Sequence, residues 1–339
     1  MAELVQLEPD DNLLINLEDL EAKLEQYRDR EFKIGSFTAC SNVTGIRTPI
    51  HEMARLMHRY GGLIFVDYAA GAPYMDINMH PEDPLEKLDA VFFSPHKFLG
   101  GPGSSGVLIF DKAMYHSEVP DNPGGGTVDW TNPWGNYKYV DDIEVREDGG
   151  TPGFLQSIRA ALAIELKEKM GVSRMQAREE ELLEIAFRGL EKIPGIEILA
   201  GDQKDRLGII SFYHPDIHFN LVVKLLNDRY GIQTRGGCAC AGTYGHYLLE
   251  VSYDQSREIT DKINHGDLSE KPGWIRWSLH PTTSTEEVEH FIRAVGEIVE
   301  NIDHWERDYV YLQRKNEFIH KNQMNQTREK KIITNWFSL

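Results

Sequence analysis

The chain has 339 residues, of which 41% are hydrophobic and 27% charged, so it can bury a sizeable core and is not disordered throughout. Its formal net charge of −18 disfavours nucleic acid and anionic membrane surfaces as partners. No apolar run approaches the roughly 20 residues of a membrane span, and the acidic start Met1-Ala2-Glu3-Leu4 lacks a basic and apolar signal pattern. Three cysteines, Cys40, Cys238 and Cys240, cannot all pair, which suits a reducing, cytoplasmic setting.

In chain order, Asn16 is positioned to cap a helix starting at Leu17, with Glu18 and Asp19 in its first turn and a stripe of Leu17, Leu20, Leu24 and Tyr27. A strand is predicted over 33–39, ahead of a loop at Asn42, and Cys40 is expected to be buried. A helix over 49–60 has Pro49 near its first turn. Strands over 63–66, 90–93 and 106–110 complete a strand–helix alternation, which implies a mostly parallel sheet with helices on both faces.

Residues 121–142, rich in Gly, Pro, Asn and aromatics, read as a long loop, and Gly124-Gly125-Gly126 within it is weak support for a phosphate contact. Helices are predicted over 154–170 and 173–193, the latter with Ser173 as cap. Strands at 196–199, 207–212 and 274–278 and helices at 220–230 and 285–307 form a smaller α+β domain. The expected division is a large domain over 1–181, a small C-terminal domain over 182–312 and a loosely held basic tail over 313–339, with six basic and two acidic residues.

The chemistry is concentrated at two apolar runs. Leu63-Ile64-Phe65-Val66 ends at Asp67, and Ala90-Val91-Phe92-Phe93 leads into Ser94-Pro95-His96-Lys97. Lys97 follows Asp67 by 30 positions, room for a loop, a short connection and one strand. Strand carboxyl ends are where open α/β sheets bind ligands. A lysine amine and a carboxylate so placed suit pyridoxal phosphate: the amine attaches the cofactor and the carboxylate keeps its ring nitrogen protonated. Either residue alone is more simply a surface lysine or a loop cap; the pair, with Ser94 and His96 beside it, points to the cofactor.

Cys238-Ala239-Cys240 offers too few ligands for a metal, even with His246 nearby, and none is expected. Cys240 becomes a nucleophile if cations such as Arg235 lower its pKa; otherwise both thiols pack as small apolar groups. Tyr244, His246 and Tyr247 are further candidates for lining a pocket, without a local feature that requires it.

Six ordered motifs spanning 41–279 carry a resemblance: Ser41-Asn42-Val43-Thr44-Gly45, Val66-Asp67-Tyr68-Ala69, Ser94-Pro95-His96-Lys97, Gly150-Thr151-Pro152, Arg235-Gly236-Gly237-Cys238-Ala239-Cys240-Ala241 and Ile275-Arg276-Trp277-Ser278-Leu279. The chain resembles the class V aminotransferases of fold-type I, and within them the cysteine desulfurases and selenocysteine lyases. The resemblance implies Lys97 as the cofactor-binding lysine, Asp67 as partner of the pyridine nitrogen, Asn42 as donor to the phenolic oxygen and Ala69 against the ring face. It implies Ser94 and His96 on the phosphate, with Thr151 reaching the phosphate of a neighbouring subunit in a homodimer. Arg276 would pair with the substrate carboxylate, Arg235 would line the same pocket and Cys240 would take the sulfur. The expected activity is removal of sulfur or selenium from an amino acid to give alanine, with a sulfur acceptor protein as a further partner. Transamination, epimerisation or another lyase reaction, and a non-catalytic binding subunit, are the alternatives.

Two features depart from the family pattern. Ala70 stands where the family usually has a glutamine near the phenolic oxygen. Ahead of Asn42 there is no glycine/threonine-rich phosphate turn and no ring-stacking histidine, the first histidine being His51. The chain therefore looks like the family without its N-terminal segment, and exposed apolar surface, an uncovered sheet edge and poor solubility are expected.

Overall fold

A computed structural model describes residues 2–323, 334–336 and 338. The first of its two units comprises the described residues up to Leu7 with Asn16–Cys40 and Thr48–Val172; the second comprises Glu8–Ile15, Ser41–Arg47 and the described residues from Ser173 onward. Beside the division at 181/182 expected from the sequence, the first unit closes at Val172 and the segment carrying Asn42 belongs to the second.

The first unit opens with α1 (Leu17–Gln26), whose Asn16 side chain accepts the Asp19 N–H at 3.0 Å. Leu20 and Leu24 of the predicted stripe are buried, while Leu17 and Tyr27 are half-buried. β1 (Ile34–Thr38), α2 (Ile50–Arg59), β2 (Leu63–Asp67), β3 (Ala90–Phe93) and β4 (Val107–Phe110) follow. The sheet runs β1-β2-β3-β4; the first three strands are parallel and β4 is antiparallel to β3. Ile64, Val66 and Val91 are fully buried in the strands, and α2 buries Met53, Ala54 and Met57. Asp89, just before β3, accepts the Ile64 N–H at 2.8 Å and faces His58 Nε2 at 2.9 Å, which ties α2 and β2 to one buried carboxylate. Cys40 is 1% exposed, as expected.

The stretch read as an unbroken loop contains a hairpin, β5 (Val128–Thr131) and β6 (Tyr137–Tyr139). Its turn is closed by Asn132, whose Oδ1 accepts the N–H groups of Trp134 and Asn136. Glycine and proline content hid it, because turn-forming residues also make loops. α3 (Ile143–Glu147) and α4 (Phe154–Met170) complete the unit. α4 buries only Ala160, Ala163 and Lys167; Phe154, Leu155, Ile158 and Leu162 are exposed, as are Leu108 and Ile109 on edge strand β4. The expected exposed apolar surface and uncovered edge are therefore present.

Gly171, at φ +81°, ends α4 in a conformation that glycine adopts freely. α5 (Val172–Leu190) starts immediately after it, so Ser173 lies inside the helix and is not its cap. The second unit continues with β7 (Glu197–Ile198), β8 (Ile209–Tyr213), α6 (Phe219–Tyr230), β9 (Arg235–Gly237), α7 (Gly242–Leu248), α8 (Tyr253–Asn264), β10 (Trp274–Ser278) and α9 (Thr285–Trp305). Its sheet, β7-β8-β10-β9, is antiparallel throughout. The core gathers Leu182, Leu190, Phe212, Leu225, Trp277 and Phe291 from three helices and two strands. Of the tail expected to be loosely held from 313, residues 317–320 form a strand: β11 (Tyr309–Leu312) and β12 (Glu317–His320) make a hairpin in which Tyr309 is buried. Arg328, Lys330 and Lys331 of that tail lie outside the described residues.

Within this unit the 41–47 segment lies along β8. Ser211 Oγ donates to the Val43 carbonyl at 2.7 Å, and the Leu207 N–H donates to the Gly45 carbonyl at 2.8 Å. Gly45 has φ +74°, and a Cβ there would meet the Leu207 oxygen at 2.6 Å, so only glycine fits.

Glu179 of α5 is 2% exposed, and burial pushes its carboxyl up to about 7 against the opposing pull of the Gly208 N–H and the Arg47 charge. The folded form therefore holds this proton more tightly than the unfolded chain. Stability contributed by protonated Glu179 is present at low pH and is lost as pH rises from the unfolded carboxyl range to about 7. The loss is expected to be on the order of 3 kcal/mol. Urea midpoints between pH 5 and 8 measure it, and Glu179→Gln removes this slope; an unchanged slope contradicts the assignment.

Candidate active site

In the first unit, the parallel register places Thr38 opposite Asp67 and Asp67 opposite Phe92. Asp67 and the Ser94–Lys97 segment consequently leave the same carboxyl edge of the sheet, from adjacent strands. Asp67 is half-buried, and its Oδ1 accepts the Ala69 N–H at 2.7 Å. Oδ2 has no partner among the described residues. Ala69 and Ala70 are half-buried beside it.

Ser94 is half-buried, and its hydroxyl makes no capping bond to the short 3₁₀ turn Pro95–Lys97 that follows. Lys97 N–H donates to the Ser94 carbonyl at 3.0 Å, and Phe98 N–H to the Pro95 carbonyl at 3.0 Å. The Lys97 amine is exposed and has no ion pair or hydrogen bond among the described residues; His96 is also exposed. Gly101 folds back so closely that a Cβ would stand 1.8 Å from the Pro95 oxygen. The glycines after Lys97 were visible in the sequence, but this close approach, which fixes the lysine turn, was not.

Thr151 is exposed in the turn before α4. Next to it, Gly150 N–H donates to the Gly125 carbonyl at 2.9 Å, so the glycine triplet packs against Gly149-Gly150.

The second unit assembles the other predicted residues. Arg235 on β9 is the register partner of Arg276 on β10, which puts two guanidinium groups side by side. Arg276 Nη1 donates to the Asn42 carbonyl at 3.3 Å, and its buried Nε has no partner among the described residues. Neither arginine forms an ion pair with a carboxylate among the described residues. Burial first, then repulsion from Arg235, lowers the Arg276 pKa, with Cys240 pulling the other way. An exposed arginine beside a half-buried one whose N–H is unsatisfied among the described residues suits an anion such as a carboxylate.

Cys240 is exposed, with its sulfur 3.4 Å from Arg235 Nη2. Cys238 is half-buried and donates its S–H to the Pro272 carbonyl at 2.9 Å; burial raises its pKa. The two lie on a turn closed by Ala241 N–H to the Cys238 carbonyl at 2.9 Å, with φ +50° at Ala239 and +65° at Cys240. Asn42 Nδ2 donates to the Ala239 carbonyl at 2.6 Å and braces this turn. Tyr244, His246 and Tyr247 are occupied elsewhere: Tyr244 donates to the Leu13 carbonyl, Tyr247 to Glu8, and the His246 ring faces the Gly242 carbonyl and Ser256.

Asp67, Ala69, Ser94, His96, Lys97 and Thr151 thus belong to the first unit, and Asn42, Arg235, Cys240 and Arg276 to the second. The class-V aminotransferase family model matches residues 1–291. The chain belongs to the class-V aminotransferase family. A probable cysteine desulfurase of Halalkalibacterium halodurans is 32% identical over 230 residues, covering 67% of this chain and 52% of that protein. A probable cysteine desulfurase of Pyrococcus abyssi is 28% identical over 298 residues, covering 87% of this chain and 66% of that one. The apo structure of a cysteine desulfurase from Thermococcus onnurineus NA1 matches with a TM-score of 0.72 and 26% identity over 88% of this chain and 66% of that one. The chain therefore spans between 52% and 66% of the length of these relatives. The expected fold-type I α/β architecture is borne out. Among the described residues no helix is long and apolar enough to cross a membrane.

Proposed function

We propose that this class-V family member is a pyridoxal phosphate-dependent lyase of the cysteine desulfurase type, taking sulfur or selenium from cysteine or selenocysteine and leaving alanine. The observation that carries the reading is the shared sheet edge of Asp67 and Lys97, a carboxylate oxygen and, in the turn just after the next strand, an amine, both without a partner among the described residues. That donor set fits the cofactor, and Ser94 and His96 add a hydroxyl and an imidazole for its phosphate. When bound, pyridoxal phosphate supplies an electron sink for negative charge developing at the substrate α-carbon.

Each residue then has a task. Lys97 would hold the cofactor through its amine and, as a free amine, would move the α-proton. Asp67 Oδ2 would hold a proton on the ring nitrogen, its other oxygen being fixed by the Ala69 N–H. Ala69 would pack on the ring, Asn42 would donate to the phenolic oxygen and Thr151 would serve the phosphate of a second subunit. Arg276 and Arg235 hold the substrate carboxylate. The Cys240 thiolate would attack the substrate sulfur and become a persulfide as the bond from the substrate β-carbon to that sulfur breaks, the carbon taking up a proton to leave as alanine. A homodimer, a sulfur acceptor protein and a cytoplasmic location are part of this proposal; three free cysteines support the last.

Sulfide release from cysteine, measured with added cofactor and a dithiol reductant, tests the reading. Cys240→Ala is expected to lower the release rate on the order of 10²-fold or more. Equal release from both chains removes Cys240 from the reaction, and no release from the wild type overturns the activity.

A further inference from the structure

The proposed reaction uses one thiol, yet the Cys238–Ala241 turn carries two. Both are free; one is exposed beside Arg235, and the other is half-buried with its S–H held by the Pro272 carbonyl. The turn that joins them is the unusual part. Ala239 and Cys240 both have positive φ, the pattern of a type I′ turn, which side-chain-bearing residues adopt at a cost. Gly237, just before it, has φ +101°. A β-turn folds its ends to within about 7 Å between Cα atoms. Cys238 and Cys240, its first and third residues, are two Cα–Cα steps of about 3.8 Å apart along the chain, which a folded turn brings into the Cα range of about 4.4–6.8 Å that a disulfide bridges.

We propose that Cys238 is a resolving thiol, which releases sulfur carried on Cys240 as hydrosulfide by closing a Cys238–Cys240 disulfide. The inference rests on the reading of Cys240 as the sulfur-accepting thiol. Cys238 loses its proton to solvent, leaves the Pro272 carbonyl and attacks Cys240 Sγ. The Cys238–Cys240 S–S bond forms as the bond from Cys240 Sγ to the outer sulfur breaks. The electron pair of the broken bond leaves with the outer sulfur, which keeps its own hydrogen and departs as hydrosulfide. The outer sulfur is reduced by two electrons, and the two cysteines supply them by becoming a disulfide. A dithiol reductant then returns the pair to thiols for another round. Arg235, 3.4 Å from Cys240 Sγ, places a cation where the departing anion forms.

Inorganic polysulfide loads a reactive thiol directly, so the test needs neither Lys97 nor the cofactor. The full chain, wild type and Cys238→Ser, is treated with polysulfide, freed of excess reagent and followed by intact mass, peptide mapping and sulfide release. The wild type is expected to shed hydrosulfide and end two hydrogens lighter, with Cys238 linked to Cys240. The Cys238→Ser chain is expected to keep one added sulfur on Cys240 for at least about tenfold longer. Equal persulfide lifetimes in the two chains, or a disulfide involving Cys40, overturns the proposal, as does the absence of added sulfur on Cys240 in the variant. A chain that fails to bind pyridoxal phosphate but passes this test would refute the proposed activity while leaving the dithiol chemistry standing.

Discussion

Replacing Lys97 with alanine is expected to abolish covalent pyridoxal phosphate binding and to lower cofactor-dependent turnover by on the order of 10²–10⁴-fold. Wild-type chain mixed with the cofactor is expected to gain a visible absorption band, and borohydride to leave a pyridoxyl group on Lys97. The physical basis is local. The amine sits in the short 3₁₀ turn that follows β3, that turn is held by the Ser94 and Pro95 carbonyls, and no acidic side chain among the described residues competes for it. Gly101 lets the following chain pass close behind Pro95, which keeps the turn from relaxing. Lys97→Arg retains the charge without an amine that forms the linkage, so it separates attachment from electrostatics; it is expected to behave like alanine in the absorption assay. Lys167 is an internal comparison. Its amine is buried, its pKa is lowered by that burial, and it donates to the Met75 carbonyl at 2.6 Å. A borohydride-fixed group on Lys167 or any other lysine, with none on Lys97, refutes the assignment.

Phe291→Ala is expected to cost the second unit about 3–5 kcal/mol of stability. Phe291 is 2% exposed on α9. Its ring stacks on Trp277 with centroids 3.8 Å apart and meets Phe212 edge-on at 6.1 Å. The ring therefore joins α9 to β8 and β10 at once, and alanine leaves a cavity bounded by two rigid aromatics that cannot collapse into it. Phe291→Leu retains most of the volume and is expected to cost under about 1.5 kcal/mol. Trp277 follows Arg276 on β10, so the alanine variant is also expected to loosen the strand that carries Arg276 and pairs with Arg235. Urea unfolding followed by circular dichroism measures the difference, and a loss below about 1 kcal/mol contradicts the packing account.

Most elements were legible from local patterns. The Asn16 cap, the α1 stripe and the apolar runs of β2 and β3 are short-range features, and each appears where its residues place it. The hairpin of β5 and β6 was not legible, because its Asn132 turn shares its composition with unstructured loops. The β11–β12 hairpin sits in sequence rich in Asn and basic residues, and burial of Tyr309 identifies it as folded only after packing is known. α7 and α8 were also missed; α8 carries a capping box at Ser252 and Gln255, a readable signal, but few apolar residues to mark a buried face.

Residue types and spacing by themselves identified a lysine and a carboxylate at strand ends, an arginine on the strand over 274–278 and a pair of cysteines, because these depend on the order of neighbours along one chain. The folded arrangement alone decided that Asn42 braces the cysteine turn, that Arg235 and Arg276 stand side by side without a counter-ion among the described residues, and that the two cysteines differ in exposure. Those outcomes depend on strand register and burial, which are set by contacts between residues far apart in sequence and leave no local trace.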